Sequence, residues 1–493
     1  MAYPVLKPID SLDVDQDVKE RVSLNLRRIV DGSEEVYRSA LANDLDPYEV
    51  LESWSKIFDS KMSALEPNLI DLENSQKLKF GPRSIAKPWK ERRESLLEYY
   101  RDSDHAEPII SGEKQATLRP LGVKEASRYL KSNTSSGLPF LKRKGLVKEK
   151  TLSLMAEGGL PDYPSMLFTR TQEQGKTRNV WGMDMKTTLN EMCYYQPLLG
   201  YQRQLPWRKA LVTPDAVDEA ITKLFNARSR GSTLVSIDFS SYDASINPSM
   251  QMRAFEFISS LFQKGFDNGL IDIANRFQSI EIVTPDGIME GTHGVPSGST
   301  FTNEVDSIVQ YQAVNHEIIE PNYQIQGDDG LYLTSNPDDV IGSFQDVGLK
   351  VNEDKSIVSD QYCLFLQNYY SPNVSVDGII RRVYPTYRAL NRILFQERWS
   401  DFEDYGIKGS DYYAIRTISI LENVRYHPLF REIVQFIYNL DKFKLRYSQK
   451  GLNKYIDRLN KTSGLQDVFS NQLGDNLRGI NDFETVKLLK TFS

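Results

Sequence analysis

The sequence predicts an α+β protein that mixes strands and helices in its centre and is helical at both ends. In the centre, short β-branched runs at 233–237 and 323–326 are bounded by Gly- and Pro-rich segments, which is typical of strands and turns. Residues 1 to about 70 and the chain beyond about 385 instead show apolar residues at helical spacing. We therefore expect a central sheet between two mostly helical regions.

Composition limits the class of protein before any motif is considered. The chain has 493 residues, enough for about three domain-sized units, and its 40% hydrophobic and 26% charged residues exclude disordered, collagen-like and coiled-coil proteins. Two cysteines exclude a disulfide scaffold, and four histidines without an HExxH pattern disfavour a histidine-ligated metal. No apolar run reaches the roughly 18 residues that a membrane helix needs, so we expect no membrane partner.

Net charge does not decide whether the partner is a nucleic acid. The chain carries −7 overall, which disfavours a polyanion, yet bases cluster at 141–150 and again, between aromatic residues, at 441–461. Bases interleaved with aromatics suit phosphate contacts and base stacking, while a solvated helix face explains each cluster equally well.

The first element with a clear boundary is a helix from Pro248 to about Gln263. Asn247 is a good N-cap, Pro248 suits the first turn, and apolar residues follow at helical spacing. A second helix is expected after the Gly- and Ser-rich segment GVPSGST at 294–300. That segment offers backbone N–H and hydroxyl donors to sugar or phosphate oxygens.

The segment YQIQGDDGLYLT at 323–334 predicts a tight β-hairpin with Asp328 and Asp329 at its tip. The two carboxylates repel one another there, and a bound cation would relieve that repulsion. Taken by itself, this segment is better explained as an ordinary polar turn, because Asp and Gly are common turn residues.

A second segment favours the cation. The run at 233–237 predicts a buried strand that delivers Asp238, with Asp243 five positions further on. If Asp238 lies beside Asp328 and Asp329, the three carboxylates form an oxygen-rich site of the kind that Mg²⁺ or Mn²⁺ prefers. Two such ions can activate a hydroxyl and stabilise a leaving pyrophosphate.

Three basic residues, Arg170, Lys176 and Arg178, lie upstream in the segment RTQEQGKTR. The letters GKT at 175–177 resemble the end of a P-loop, but that motif needs a glycine where this chain has Arg170, so we reject the P-loop.

These segments, in this order, resemble the motifs of viral RNA-dependent RNA polymerases. The resemblance rests on SSGLP at 135–139 (motif G), EQGKTR at 173–178 (F), DFSSYD at 238–243 (A), PSGSTFTN at 296–303 (B), QGDDG at 326–330 (C), VGLKVNEDKS at 347–356 (D) and CLFLQNYY at 363–370 (E). Within the family, VYPTYRALNRILFQERW at 383–399 and the VDS after motif B are most similar to picobirnavirus replicases, and next to partitivirus replicases.

The resemblance implies a right-hand polymerase of fingers, palm and thumb in a closed cage, with an antiparallel palm sheet backed by helices. The implied boundaries are an N-terminal extension at 1–74 that bridges fingers and thumb, fingers at 75–230 and 248–295, palm at 231–247 and 296–370, and thumb at 371–493. The implied activity is template-directed RNA synthesis from NTPs by two-metal nucleotidyl transfer, with release of pyrophosphate.

The resemblance also implies site residues, which are carried over motif by motif. Asp238, Asp328 and Asp329 would hold Mg²⁺, with Mn²⁺ as a substitute, and Lys355 would act as a catalytic acid. The implied NTP-binding residues are Arg170, Lys176, Arg178, Asp243, Ser297, Thr302 and Asn303. The implied RNA-binding residues are Ser136, Gly137, Pro139, Lys142, Arg143 and Lys144. Template and product RNA, NTPs and a viral capsid protein are the implied partners, in the virion interior and the host cytoplasm.

Several alternatives stay open at this point. Many of these polymerases have an asparagine four residues after the motif B threonine, where this chain has Asp306, so either Asp306 or Asn303 faces the ribose. Lys350 competes with Lys355 for the role of acid, and a surface lysine explains Lys355 equally well. A reverse transcriptase would carry an aromatic residue at position 243, and a non-catalytic RNA-binding protein would have no reason to keep all three carboxylates.

Overall fold

The computed structural model describes residues 4–101, 117–314, 322–463 and 477–492. The α-helices of these residues are α1 (Gln16–Asp31), α2 (Ala40–Asn43), α3 (Pro47–Lys61), α4 (Pro67–Leu78), α5 (Trp89–Leu97), α6 (Val123–Ala126), α7 (Lys144–Ala156), α8 (Met185–Gln202), α9 (Pro214–Asn226), α10 (Tyr242–Ser245), α11 (Pro248–Ser259), α12 (Asp267–Ser279), α13 (Thr302–Val314), α14 (Pro337–Asp346), α15 (Thr386–Leu394), α16 (Gly409–Glu422), α17 (Phe430–Leu440), α18 (Gln449–Ser463) and α19 (Glu484–Leu489). The strands are β1 (Val5–Lys7), β2 (Ser165–Thr171), β3 (Thr177–Gly182), β4 (Thr233–Ile237), β5 (Ile282–Thr284), β6 (Gly287–Glu290), β7 (Tyr323–Gln326), β8 (Asp329–Thr334), β9 (Ile357–Ser359), β10 (Cys363–Phe365), β11 (Asn368–Tyr370), β12 (Ser375–Val376) and β13 (Ile379–Ile380). Helix bounds follow the local signals: Asn247 caps α11 by accepting from the Met250 N–H at 2.9 Å, and the helix ends at Ser259, slightly before the predicted Gln263.

The central sheet is antiparallel and has the strand order β7-β8-β4-β9. Its two faces are covered by different helices, because successive side chains of a strand point in opposite directions. Val235 and Ile237 pack on one face with α11 and α13, while Leu234 packs on the other face with α9. The expected antiparallel sheet backed by helices is confirmed.

A second sheet has the order β1-β6-β5-β2-β3. The first strand, β1, was not predicted, since the region was expected to be helical. It pairs antiparallel with β6, Val5 opposite Glu290, across most of the length of the chain. The sheet supports the β2–β3 hairpin that carries the basic residues of the site.

The two helical ends of the chain pack against each other. Trp54 and Phe58 of α3 share one core with Tyr387 of α15 and with α16 and α17. The buried carboxylate of Glu73 accepts the backbone N–H groups of Thr386 at 2.7 Å and Tyr387 at 3.1 Å, which satisfies orphan donors at the start of α15. Helix α1 packs instead on α5 and β2. The N-terminal residues therefore connect the second sheet with the C-terminal helices.

Within the described ranges, no helix has both the length and the apolar character that crossing a membrane requires.

Candidate active site

The strand β4 and the β7–β8 hairpin bring three aspartates to one edge of the central sheet. The β4–β8 register ends with Ile237 opposite Gly330, so the next position places Asp238 opposite Asp329. Asp328 lies in the two-residue turn between Gln326 and Asp329, which pair across the hairpin. The predicted hairpin and strand are thus confirmed, and they place the carboxylates next to each other.

The turn is held in place by the helix that follows the Gly/Ser loop. Gly327 has φ +64°, and a Cβ at this position would lie 2.9 Å from the Asn303 side-chain amide nitrogen, so only glycine fits without a shift. The Gly327 N–H donates to the Ser307 hydroxyl at 2.8 Å, and its carbonyl accepts from Gln310 at 2.6 Å. Helix α13 therefore fixes the position of Asp328.

Burial and neighbouring acids perturb the carboxylates of Asp238 and Asp329. Burial, followed by the charges of Asp328 and Asp238, raises the pKa of Asp329 to about 7. Burial also raises the pKa of Asp238, against the opposing effects of Lys355, Lys176 and a hydrogen bond from Asn352. A cation that binds between such carboxylates relieves the repulsion between their negative charges.

The donor set fits a hard divalent cation, although the side chains do not yet converge on one. Among the residues that the structure describes, no group of three or more His, Cys, Asp or Glu side chains is placed as a ready metal-ligand set. Carboxylate oxygens are nevertheless the ligands that such ions prefer, and Asp328 is exposed at the tip of the turn.

A cavity of about 660 Å³ opens beside this turn and brings together most of the predicted nucleotide-binding residues. It is lined by Arg170, Lys176, Arg178, Asp243, Ser297, Thr302, Asn303 and Asp328, and also by Tyr99, Glu98 and Asp306. Asp238, Asp329 and Lys355 are not part of this lining. Asp238 is in electrostatic contact with Asp328, Lys176 and Lys355, and Asp329 with Asp328 and Asp238.

The basic wall of the cavity is the β2–β3 hairpin. Arg170 and Arg178 are paired across it, and Lys176 lies just before β3. Burial, together with the charges of Arg178 and Lys355, lowers the pKa of Lys176, which shows that positive charge is crowded here. Arg170 is exposed and lies 3.6 Å from the carboxylate of Glu397 in the C-terminal region.

Asp243 and the Gly/Ser loop also line the cavity. The Ser297 hydroxyl donates to the Asp243 carboxylate, and the Tyr99 hydroxyl lies 3.4 Å from Ser297. Burial raises the pKa of Asp243 to about 6, and the Ser297 bond opposes this shift. The Thr302 hydroxyl is used inside the loop, where it donates to the carbonyls of Pro296 and Ser299 at 3.0 and 3.1 Å.

Both candidates for the ribose contact border the cavity, but their surroundings differ. Asp306 is buried, its Oδ1 atom has no hydrogen-bond partner among the described residues, and burial beside Asp243 raises its pKa well above the ordinary range. Asn303 is half-buried, and its Oδ1 accepts from Arg208 at 3.2 Å. Asn303 therefore keeps its amide NH₂ for other contacts.

Lys355 and Lys350 occupy different positions relative to the carboxylates. Both side chains are exposed. Only Lys355 is among the groups that act on the pKa of Asp238, where its positive charge opposes the rise caused by burial. The loop is fixed by Asn352, whose N–H donates to the Asp238 carbonyl at 2.8 Å and whose carbonyl accepts the Lys355 N–H at 3.1 Å.

The predicted RNA-binding loop divides into buried and exposed residues. Ser136 and Gly137 are buried, and Gly137, with φ +62°, lies against the Met183 carbonyl, where a Cβ would approach to 2.4 Å. These two residues shape the loop from buried positions, and their contact with RNA stays a prediction. Pro139 and Lys144 are half-buried, and burial lowers the pKa of Lys144.

Lys142 and Arg143 are the exposed members of the loop. Arg143 lies 3.6 Å from Asp401, so it also connects the loop to the C-terminal region.

Three further residues act on the site and were missed from the sequence. Glu191 of α8 is buried and accepts from the Ser299 hydroxyl at 2.7 Å and the Thr300 N–H at 2.8 Å, which holds the Gly/Ser loop. Arg208 donates a hydrogen bond to the side-chain oxygen of Asn303. The positive charge of Arg388, in α15, opposes the rise in the pKa of Asp329. Glu191 and Arg208 lie in no recognisable pattern, because their partners are about a hundred positions away.

His293 and Cys363 lie within motifs but have structural environments. The His293 ring nitrogens are bonded to the Gly294 and Ile280 carbonyls, and Cys363 is buried at the start of β10.

The sheet edge with its three aspartates and the cavity lined by the basic hairpin have the arrangement that the resemblance to a right-hand polymerase predicts. A family model described as viral RNA-dependent RNA polymerase matches residues 117–383. The chain belongs to the viral RNA-dependent RNA polymerases.

Two curated relatives and two solved structures agree with this assignment. The chain is 30% identical over 517 residues to a potential RNA-dependent RNA polymerase of a human picobirnavirus (strain Human/Thailand/Hy005102/-), which covers 94% of this chain and 95% of the relative. It is 25% identical over 279 residues to the RNA-directed RNA polymerase of Cryptosporidium parvum virus 1 (strain KSU-1), covering 49% of this chain and 52% of the relative. The crystal structure of the RNA-dependent RNA polymerase of a human picobirnavirus superposes with a TM-score of 0.81 at 26% identity and covers 98% of each chain. Its insertion-loop deletion mutant gives a TM-score of 0.81 at 27% identity, covering 97% of this chain and 100% of that one.

These matches confirm the predicted family, its picobirnavirus-like character and the right-hand fold. The protein is an RNA-directed RNA polymerase, a nucleotidyltransferase that synthesises RNA on a template.

Proposed function

We propose that Asp238, Asp328 and Asp329 hold the divalent ions of the reaction, Mg²⁺ in the cell and Mn²⁺ as a substitute. The registers of the β4–β8 and β7–β8 pairs support this role, because they bring three oxygen-donor side chains to one edge of the sheet. The raised pKa values of Asp238 and Asp329 are consistent with negative charge gathered there. When bound, the ions supply activation of the RNA 3′-hydroxyl and neutralisation of the leaving pyrophosphate.

The triphosphate would lie along the β2–β3 hairpin. Lys176 and Arg178 face the cavity from this hairpin, and Lys176 lies within electrostatic range of Asp238 and Asp328. Charge-assisted contacts to phosphate are the strongest hydrogen bonds available there. Arg170 would join them after exchanging its contact with Glu397 for a phosphate oxygen.

The ribose would lie against Asp243, Ser297, Thr302 and Asn303. The Asp243 carboxylate can accept a hydrogen bond from a 2′-hydroxyl, and Ser297 orients that carboxylate. An aromatic side chain at position 243 would fill this space instead, so the acceptor favours ribonucleotides over deoxyribonucleotides. Thr302 contributes by closing the loop that presents Ser297.

Lys355 would donate the proton that the departing pyrophosphate needs. The electrostatic contact between Lys355 and Asp238 supports this role. Lys350 is not among the groups that act on the pKa of Asp238. Leaving oxygens gain charge in the transition state, and a positioned acid can raise the rate about 10²–10⁴-fold.

Template RNA would pass the exposed Lys142 and Arg143, with Pro139 and Lys144 beside them and with Ser136 and Gly137 shaping the loop. The backbone of RNA is read by such cations irrespective of sequence. We further propose that the product RNA leaves past the C-terminal helices, that a viral capsid protein is a partner, and that the enzyme acts in the virion interior and the host cytoplasm.

The proposed domain boundaries are an N-terminal extension at 1–74, fingers at 75–230 and 248–295, palm at 231–247 and 296–370, and thumb at 371–493. Helices α9 and α11 fall within the finger ranges, yet their packing on the two faces of the central sheet supports counting them with the palm. The core shared by α3 and α15 supports the bridging role of the extension.

The observation that carries the proposed site is the β4–β8 register, which places Asp238 opposite Asp329. The test is extension of an RNA primer on an RNA template in EDTA, Mg²⁺, Mn²⁺ or Ca²⁺, combined with thermal denaturation in the same buffers. We expect synthesis with Mg²⁺ or Mn²⁺ only, and a rise in melting temperature with Mg²⁺ that Asp238→Asn abolishes. An unchanged rise in that variant would place the ions elsewhere.

A further inference from the structure

Arg208 is a fully buried arginine that contacts the helix presenting Asn303 to the cavity. It follows α8 in the chain and forms an ion pair with Glu304 at 2.8 Å, in which both side chains are inaccessible to solvent. The same Nη2 atom donates to the Oδ1 of Asn303 at 3.2 Å.

The other half of the guanidinium connects this helix with the catalytic turn. Its Nη1 atom donates to the Ser307 hydroxyl and to the Ile325 carbonyl of β7, the latter at 3.3 Å. The Ser307 hydroxyl in turn accepts the Gly327 N–H at 2.8 Å. One planar group thus fixes α13 relative to the turn that carries Asp328.

The contact with Arg208 determines the orientation of the Asn303 side-chain amide, that is, the positions of its oxygen and its NH₂ group. A guanidinium only donates hydrogen bonds, so it must face the Asn303 oxygen and not the NH₂. The NH₂ therefore points to the other side, where it lies beside Gly327, 2.9 Å from the place that a Cβ at 327 would take. Asn303 thereby offers a donor at the wall of the cavity that the acceptor Asp243 also lines.

We propose that Arg208 is a positioning residue for sugar selection, which holds the Asn303 NH₂ so that it donates to the ribose 2′-oxygen while Asp243 accepts from the same hydroxyl. The inference rests on the ribose pocket proposed above. A deoxyribonucleotide leaves both partners unpaired, and an unpaired buried group is costly. Without Arg208 the amide is free to turn, and its oxygen cannot donate.

The first test is Arg208→Lys, which keeps the charge beside Glu304 but removes the fork that reaches several acceptors. We expect the ratio of kcat/KM for GTP to that for dGTP to fall about 3–10-fold, the size of one net hydrogen bond. The fall should come from a higher KM for GTP, with dGTP nearly unchanged. If Arg208 only supported the fold, its replacement would reduce kcat/KM for GTP and for dGTP by the same factor.

Arg382→Lys is the matched control. Arg382 is also buried and forms ion pairs, with Asp218 at 2.8 Å and Asp215 at 3.0 Å. Neither of these aspartates lines the cavity, whereas Asn303, the partner of Arg208, does. We expect both lysine variants to lose thermal stability, and only Arg208→Lys to change the sugar ratio. Equal changes in the two variants would overturn the proposal.

Asn303→Asp separates the inference from the pocket on which it rests. The new carboxylate pairs with Arg208, so the melting temperature should hold, while the NH₂ donor is removed and the sugar ratio falls as in Arg208→Lys. If Arg208 acts through Asn303, the double variant shows no further fall. If Arg208→Lys does not fold, Arg208→Gln combined with Glu304→Gln removes both buried charges together and should give the same fall.

The outcomes are distinguishable. If Asn303→Asp keeps the parent ratio, Asn303 does not read the ribose and the proposed pocket is wrong. If Asn303→Asp lowers the ratio but the Arg208 variants keep it, the pocket stands and the role of Arg208 is wrong. Additive falls in the double variant would also contradict the inference, since they would mean that Arg208 acts on another group.

Discussion

Asp238 and Asp329 face one another across the β4–β8 ladder, one position beyond the pair Ile237 and Gly330. Both carboxylates lie at the ends of strands, so the register of the strands determines their positions. That register is set by buried neighbours such as Val235 and Tyr332. The result is a cluster of acids in which Asp328 and Asp238 repel the charge of Asp329 and help to raise its pKa.

This repulsion makes the stability of the metal-free enzyme depend on pH. The pKa of Asp329 rises from 3.8 to about 7 in the folded protein, so the native state binds the proton more tightly than the unfolded chain and loses stability as the pH rises between those values. We expect Asp329→Asn to raise the melting temperature in EDTA at pH 8 and to change it little at pH 4. Thermal denaturation across this range is the measurement, with Asp360→Asn, an exposed acid, as control. A parent protein as stable at pH 8 as at pH 5 would contradict the expectation.

Asp243 should govern the choice of sugar. Asp243→Ala removes the acceptor for the 2′-hydroxyl, and that hydrogen bond is worth about 1–3 kcal/mol, or roughly 5–150-fold in kcat/KM for NTPs. The effect on dNTPs should be small. Single-nucleotide incorporation with GTP and dGTP measures both, and equal reductions would show that Asp243 supports the fold or the metals.

The same preference should depend on pH, because only the ionised carboxylate accepts both of its hydrogen bonds. With the pKa of Asp243 raised to about 6, the parent ratio of GTP to dGTP use should fall as the pH is lowered through that value. The Asp243→Ala ratio should stay flat.

The basic loop should bind the RNA backbone. Replacing Lys142 and Arg143 by glutamine should weaken RNA binding equally for different sequences and reduce the slope of log K against log salt by about one for each phosphate that the loop no longer neutralises. Lys56→Gln with Lys61→Gln removes the same charge from exposed positions of α3 and should leave the slope unchanged. If both pairs of substitutions behave alike, the loop is only a solvated surface.

Lys355 should affect turnover and not nucleotide binding. Lys355→Leu should keep the KM for NTPs near that of the parent and reduce kcat about 10²-fold or more, as expected for removal of a general acid. Lys355→His should recover part of the rate with a lower pH optimum, since imidazole titrates near pH 6.5. Lys350→Leu is the matched control, and pre-steady-state incorporation is the measurement. A slower Lys350→Leu enzyme would transfer the role to Lys350.

Much of the catalytic centre could be predicted because its signals are local. The β-branched run that ends at Asp238 and the turn residues around Asp328 are short patterns, and each predicts its own strand or turn without reference to the rest of the chain. The start of α11 is likewise a local signal, because the N-cap Asn247 accepts from the N–H of Met250, three residues further on.

The remaining features depend on partners far away in the chain. The three residues of β1 carry no pattern of their own and form a strand only because the edge of β6 is available to them. Arg208 is defined by contacts 95 to 117 positions further on, with Asn303, Ser307 and Ile325, which no local spacing can indicate. Burial of Ser136 is of the same kind, because residues that are distant in sequence cover the loop.

The central claim is that the three aspartates carry nucleotidyl transfer, and Asp328→Ala tests it most directly because Asp328 is exposed at the turn and supports no core packing. The measurement is extension of an RNA primer on an RNA template with NTPs and Mg²⁺, alongside RNA binding and thermal denaturation, with Asp360→Ala as control. We expect Asp328→Ala to bind RNA and melt like the parent while synthesis is abolished, and Asp360→Ala to retain synthesis. Synthesis at the parent rate by Asp328→Ala would contradict the account.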